Sequence, residues 1–169
     1  ELDRLGVKGA SLAADIGVSS GGQALVDHTI RELGGIDILV HSAGIWPVEE
    51  AAVHEMTDGR WARTMRENMD ATFFVSRAAA RAMMAARAHD TGAAGSMRAS
   101  GHTPVVGIPA VPAVQSPSAG RYHGARIVLI ASTAGQRGEA MHADYAASKG
   151  AMIAFVKSMA VELAPYDIT

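Results

Sequence analysis

"GGIDILVHSAG", residues 34–44, decides how this chain is read. Gly34 and Gly35 stop whatever helix precedes them. Ile36 to Val40 is a short, tight apolar run, the composition of a strand buried in a parallel sheet. It opens directly into a loop of small residues, Ser42 to Gly44. In open α/β sheets, ligands bind where strands end at their carboxyl edge. The stretch therefore raises two questions: whether further strands of this kind follow, and whether their ends carry chemistry.

Upstream, Leu25, Val26, Ile30 and Leu33 fall at helical spacing within Gln23–Leu33. Before that helix, residues 17–22 read as a Ser/Gly turn, and "ASLAADI", Ala10–Ile16, as a short buried strand. Residues 1–7 read as the tail of a helix stopped at Gly6. Downstream, residues 45–57 are loop or short helix, and Thr57 can cap a helix starting near Asp58. The helical pattern then runs from Gly59 to Ala88, with a break near Asn68–Ala71. "ARIVLIAS", residues 125–132, is another buried-strand run, followed by a flexible loop from Gly135 to Ala143. The last helix is Tyr145–Leu163, ended by Pro165. Alternation of strand and helix predicts an α/β fold with parallel strands and right-handed crossovers.

Residues 90–120 depart from that order. They are rich in Gly, Pro, Ala and Ser, and four of the six prolines lie between Pro104 and Pro117. Proline removes backbone donors, so neither a helix nor a central strand is expected there. The segment reads as a mobile insertion in a domain spanning 1–169, with a lid or partner-binding arm as the sharper alternative.

With 169 residues, 49% of them apolar and 19% charged, the chain can bury one core and is not a disordered polymer. Its net charge of -2 shows no basic stripe, so no nucleic-acid partner is expected. No apolar run reaches membrane-spanning length, and no leader precedes the first residues, so a cytoplasmic location is expected. Cysteine is absent, which removes thiolate chemistry. The seven histidines show no ligand-grade spacing and read as surface or loop residues, so no metal is expected.

Chemistry enters at Tyr145 and Lys149, four apart where the last helix begins. On a helix they share one face. A tyrosine hydroxyl titrates near 10, and a neighbouring ammonium favours its phenolate, which is the tuning that general acid–base catalysis uses. Ser132, at the end of the preceding strand, can hold a carbonyl or alcohol oxygen beside the phenol. By spacing alone, the pair is also ordinary helix surface.

Ser132 followed thirteen residues later by "YAASK" resembles the active-site pattern of the short-chain dehydrogenase/reductase family. "GGIDILVHSAG" is similar to that family's fourth strand and Asn-Ala-Gly motif, and "WARTMRENMDATFFVSRAA", residues 61–79, to the helix with its catalytic asparagine, here Asn68. "ARIVLIASTAG", 125–135, matches the fifth strand, "VELAPYDIT", 161–169, the approach to the sixth, and "AADI", 13–16, the end of the third. The flavour is that of 3-oxoacyl-carrier-protein reductases and related alcohol dehydrogenases.

The resemblance implies a Rossmann-like, doubly wound parallel sheet, here truncated, with the first two and last two strands missing. It implies hydride transfer between NAD or NADP and a small-molecule ketone or secondary alcohol. Tyr145 would be the acid or base, Lys149 would hold the ribose hydroxyls, Ser132 would orient the substrate oxygen, and Asn68 would hold a relay water. Asp15 and Ile16 would meet the adenine, and Ser42, Ala43 and Gly44 would run along the cofactor. Independently of the resemblance, His142 lies three residues before Tyr145, where it can face a substrate, and Glu139 and Met141 share its loop and can line the same pocket. The helices covering 70–88 and 145–163 would form a homodimer or homotetramer interface. Two departures stand out: Ser42 replaces the usual asparagine, and no glycine-rich pyrophosphate turn follows a first strand. A fragment of a longer enzyme is expected, with little activity alone; the alternative is a non-catalytic nucleotide-binding or scaffolding relative.

Overall fold

A computed structural model describes residues 2–90 and 124–169. The expected insertion at 90–120 lies, beyond Asp90, outside the described residues. A 3-10 turn at Leu2–Leu5 leads through extended chain to helix α1, Ser19–Leu33. Strand β1 is Ile38–His41, helix α2 Asp58–Met65, and a π-helical segment, Arg66–Asp70, continues straight into helix α3, Ala71–Asp90. Strand β2 is Arg126–Leu129, helix α4 Ala134–Arg137 and helix α5 Ala143–Leu163, with a closing 3-10 turn at Ala164–Tyr166.

The two strands pair in parallel, Ile38 opposite Arg126 through His41 opposite Leu129. A parallel bridge from Ala125 to Ile168 begins a third strand on the far side of β2. Ile127 N–H donates to Thr169 O at 2.8 Å, and Thr169 N–H to Ala125 O at 3.0 Å. The approach to a sixth strand thus reaches its first ladder bonds.

Period-two alternation sends Leu39 and His41 to one face of the sheet and Ile38 and Val40 to the other. The core lies on the first face. Val26 of α1, Ala78, Ala79 and Met83 of α3, and Met159 and Leu163 of α5 close over Ile127 and Ile168. Rows of alanine on α3 let that helix approach closely. On the opposite face Ile38 and Val40 are 61% and 59% exposed, and Val128 and Ile130 are exposed with them. Helices α1, α3 and α5 all pack on the first face.

The strand expected at Ala10–Ile16 does not form. Leu12 is exposed, and no described strand lies beside the segment to complete its backbone ladder. The Ser/Gly stretch after it is helix rather than turn from Ser19 onward. A Cβ on Gly21 would lie 1.8 Å from Asp15 O, so glycine is what lets α1 start against that segment. The expected break near Asn68 is a π segment, not an interruption. The loop expected at Gly135–Ala143 contains most of the short α4, and α5 starts two residues earlier than expected, at Ala143. No helix among the described residues is long and apolar enough to cross a membrane.

Candidate active site

Three element ends meet at the carboxyl edge of the sheet: the loop after β1, the turn after β2, and the first turns of α5. The π segment supplies the piece that joins them. Its extra residue per turn is the kind of local distortion often found at functional sites. Here it brings Asn68 fully into the interior, with zero exposure. The Asn68 amide takes the Ile45 N–H on Oδ1 at 2.7 Å and donates from Nδ2 to Ile45 O at 3.1 Å. Its other Nδ2 hydrogen goes to Ser148 Oγ at 2.9 Å. Ser148 in turn donates to Tyr145 O at 2.8 Å. One amide therefore ties the strand-end loop to the turn of α5 that carries Tyr145. A Cβ on Gly44 would sit 2.8 Å from Asn68 Oδ1, so the loop passes at a distance only glycine allows.

Lys149 is buried, 6% exposed. Its ammonium donates to Ile130 O at 2.8 Å and lies 5.8 Å from the Tyr145 ring centroid, within cation–π range. Burial pulls its pKa below the ordinary lysine value. Ser132 Oγ accepts the Ala134 N–H at 3.2 Å, which leaves its own hydrogen to donate. The turn bearing Ser132 leans on α5: a Cβ on Gly135 would meet the Lys149 carbonyl carbon at 2.5 Å. The structure thus gathers Asn68, Tyr145 and Lys149 in one cluster and brings the Ser132 turn against the same stretch of α5.

Ser42, Ala43 and Gly44 are exposed along the strand end. Asp15 is apart from that cluster. Its carboxylate accepts Arg66 Nη1 at 3.0 Å and the Gly17 N–H at 3.0 Å, and Arg66 is the main cause of its pKa falling below the usual carboxylate value. Arg66 stands two residues before Asn68, so Asp15 is tethered to the π segment. Ile16 is half-buried beside it. His142 is buried rather than facing outward: Nε2 lies 3.0 Å from Pro47 O, and Trp46 stacks on the ring at 4.1 Å. Met141 is exposed and takes a left-handed backbone, φ 64°.

Sequence reading missed three participants. Trp46 lies two residues past Gly44, and its ring meets Tyr145 edge-on at 4.5 Å. Asp144, wholly buried, is held by Arg60 and Thr64. His41, expected as a surface or loop residue, is 4% exposed, with no hydrogen-bond partner on Nε2. One signal was available: Thr64, Asn68, Thr72 and Ser76 fall every fourth residue, a polar stripe down one helix face, and all four are buried. Among the described residues no group of three or more acidic or histidine side chains is placed to hold a metal ion.

Residues 2–110 match the family model described as enoyl-(acyl carrier protein) reductase, and residues 102–169 the one described as short chain dehydrogenase. The chain belongs to the short-chain dehydrogenase/reductase family. It is 28% identical over 167 residues to the 3-oxoacyl-(acyl-carrier-protein) reductase FabG of Salmonella typhimurium, covering 99% of this chain and 53% of that protein. To the 2-dehydro-3-deoxy-D-gluconate 5-dehydrogenase of Escherichia coli it is 38% identical over 85 residues, covering 50% of this chain and 33% of that one. Among solved structures, an NAD+-bound xylitol dehydrogenase superposes with a TM-score of 0.73 at 28% identity, over 99% of this chain and 50% of its own. A gluconate 5-dehydrogenase from Burkholderia cenocepacia, in complex with NADP and tartrate, gives 0.66 at 26% identity, over 92% and 46%. The chain spans about half the length of the FabG reductases it matches.

Proposed function

We propose that this chain carries the reacting groups of a nicotinamide-dependent oxidoreductase acting on a ketone or secondary alcohol. The observation that carries the reading is the Lys149 ammonium, buried beneath the Tyr145 ring and fixed to Ile130 O. Family membership and the NAD- and NADP-bound relatives support the cofactor class.

The residues present fit such a cofactor. The exposed backbone of Ser42–Gly44 offers a track at the strand edge, and Lys149 has two N–H donors beyond the one given to Ile130 O for ribose hydroxyls. Asp15 and Ile16 stand at the adenine end of the proposal. The nicotinamide, when bound, supplies or accepts the hydride. In reduction, Tyr145 gives its proton to the carbonyl oxygen, and in oxidation it takes the proton from the alcohol. Lys149 stabilises the negative charge left on the phenol oxygen. Ser132 donates its hydrogen bond to the substrate oxygen and fixes its distance from Tyr145. Asn68 holds the frame: with both ends of its amide committed, it sets the spacing between the strand-end loop and Tyr145.

Assembly into a homodimer or homotetramer through α3 and α5 belongs to the same proposal; sedimentation equilibrium measures it. The reaction itself is tested by Tyr145→Phe in the intact protein. NADH or NADPH binding, read by nicotinamide fluorescence, is expected to stay within about threefold, while turnover falls at least a hundredfold. Undiminished turnover overturns the role given to Tyr145. Loss of saturable nucleotide binding in the unsubstituted protein favours a scaffolding relative instead.

A further inference from the structure

We propose that Trp46 is a fixed aromatic wall beside Tyr145 that selects substrates carrying a flat apolar ring next to the reacting carbon. The inference rests on Tyr145 as the reacting group. It starts from an imbalance: the Trp46 side chain is held on two sides, yet the residue remains 49% exposed.

The holding is extensive. One side of the indole stacks on His142, with centroids 4.1 Å apart and planes 21° from parallel. Another meets the Tyr145 ring edge-on, 4.5 Å between centroids. His142 is itself buried and anchored by Pro47 O. The surrounding chain is pinned as well. Asn68 engages both backbone groups of Ile45, and the Ala51 N–H donates to Met141 O at 3.1 Å. Arg60 reaches Glu49 O at 2.5 Å and Met141 O at 3.1 Å. A loose surface tryptophan folds onto whatever lies near; this one is locked, with its remaining surface in water.

Charge near the wall narrows the ligand. Arg60 and Asp144 neutralise each other, with side chains 14% and 0% exposed. Arg137 and Glu139 pair at 3.8 Å. Among the described residues, the Arg60 guanidinium beside this loop is therefore committed to Asp144, and the Lys149 donors left over from Ile130 O are those proposed for the ribose hydroxyls. Met141, exposed in the same loop, adds an adaptable apolar surface. A ring stacks on indole with favourable offset or edge geometry, as Tyr145 already does. The pattern fits an aryl or alicyclic ketone or alcohol rather than a sugar acid.

Two measurements test the assignment. In a Trp61→Phe background, Trp46 is the single tryptophan of this chain, and its emission reports the wall directly. Titration with 1-phenylethanol is expected to give a saturable emission shift, and 2-butanol none at the same concentrations. The shift should persist when Tyr145→Phe is added, so wall binding is read independently of turnover. In steady-state kinetics, Trp46→Ala is expected to lower kcat/KM for acetophenone about 10- to 100-fold more than for 2-butanone, with Trp46→Phe restoring most of the difference. Equal losses for both ketones would reduce Trp46 to loop packing and overturn the proposal. So would a polyol such as xylitol shifting the emission at lower concentration than 1-phenylethanol.

Discussion

Arg60 grips Asp144 through two nitrogens, Nε 3.1 Å from Oδ2 and Nη2 3.2 Å from Oδ1, one residue before Tyr145. Thr64 Oγ1 adds a third bond at 2.7 Å. The carboxylate is wholly enclosed, while the guanidinium also spans Glu49 O and Met141 O. One ion pair thus binds α2, two loops and the start of α5 together. Burial pulls the Asp144 pKa up, but the bonds from Arg60, Thr64 and the Tyr145 N–H outweigh it, and the net value falls below the ordinary one. A depressed folded pKa gives stability that is present above the unfolded value and lost as pH falls through the folded one. Removing one partner of a buried pair leaves an uncompensated charge. Arg60→Met is therefore expected to destabilise by about 3–5 kcal/mol and to make the loss greatest at neutral pH. Thermal melts at pH 7 and at about pH 3, below the ordinary carboxylate value, measure it. A melting point unmoved at both would show that the pair contributes nothing.

His41 is the next titrating group. It points from β1 into the helix layer, and burial first, then the Lys149 charge, lower its pKa below the ordinary histidine value. The folded protein therefore holds it neutral where the unfolded chain takes a proton. Stability contributed this way is present above about pH 6.5 and declines as pH falls toward the folded value. His41→Asn is expected to shrink the difference in melting temperature between pH 7.5 and pH 5.5. An unchanged difference in the variant would rule His41 out as the source.

Asn68 makes a sharper structural prediction. In Asn68→Ala, the Ile45 N–H and C=O lose their side-chain partner together, and Ser148 Oγ loses its donor. Each buried group left unpaired costs about 1–3 kcal/mol, softened where water enters. Melting temperature is expected to drop accordingly. Trp46 emission should also move to longer wavelength, because Ile45 no longer fixes the indole against His142. A destabilised protein with unchanged Trp46 emission would separate Asn68 from the wall.

The parts legible in the sequence are those set by local pattern. Both strands were found within about three residues, because compact apolar runs flanked by glycine admit few other readings. Asn68, Tyr145 and Lys149 were singled out through the family resemblance, since spacing alone left the Tyr145–Lys149 pair as ordinary helix surface. The strand at 10–16 failed for a reason no local pattern contains: a strand needs a neighbour, and none of the described residues supplies one. Exposure of Ile38 and Val40 has the same origin, since apolar composition does not say which face is covered. Trp46 and Asp144 escaped because their importance lies in contacts 84 to 99 residues away in sequence, Asp144 with Arg60 and Trp46 with Tyr145. His41 was misread because burial belongs to the assembled helix layer and not to the residue type.

Three glycines allow a graded test of how tightly the site is packed. A Cβ at Gly135 would meet Lys149 C at 2.5 Å and Gly150 N at 2.6 Å, all backbone, so neither side can rotate away. Gly135→Ala is therefore expected to force the Ser132 turn off α5 and to lower stability by about 1–3 kcal/mol, the range for overpacking. Gly138 has open space for a Cβ but a backbone at φ 81° and ψ 169°, a region almost confined to glycine, so alanine there is strained by about 1–3 kcal/mol without disturbing packing. Gly59 has open space, sits in the first turn of α2 and has no positive φ. Gly59→Ala should stabilise by about 0.4–1 kcal/mol through the unfolded chain. At about 2–4 °C per kcal/mol, the order of melting temperatures is Gly59→Ala, unsubstituted, then the other two below. Only Gly135→Ala should also weaken turnover, because it alone moves the Ser132 turn relative to Lys149. Gly135→Ala melting above Gly59→Ala would mean that the turn and α5 are not in the contact described.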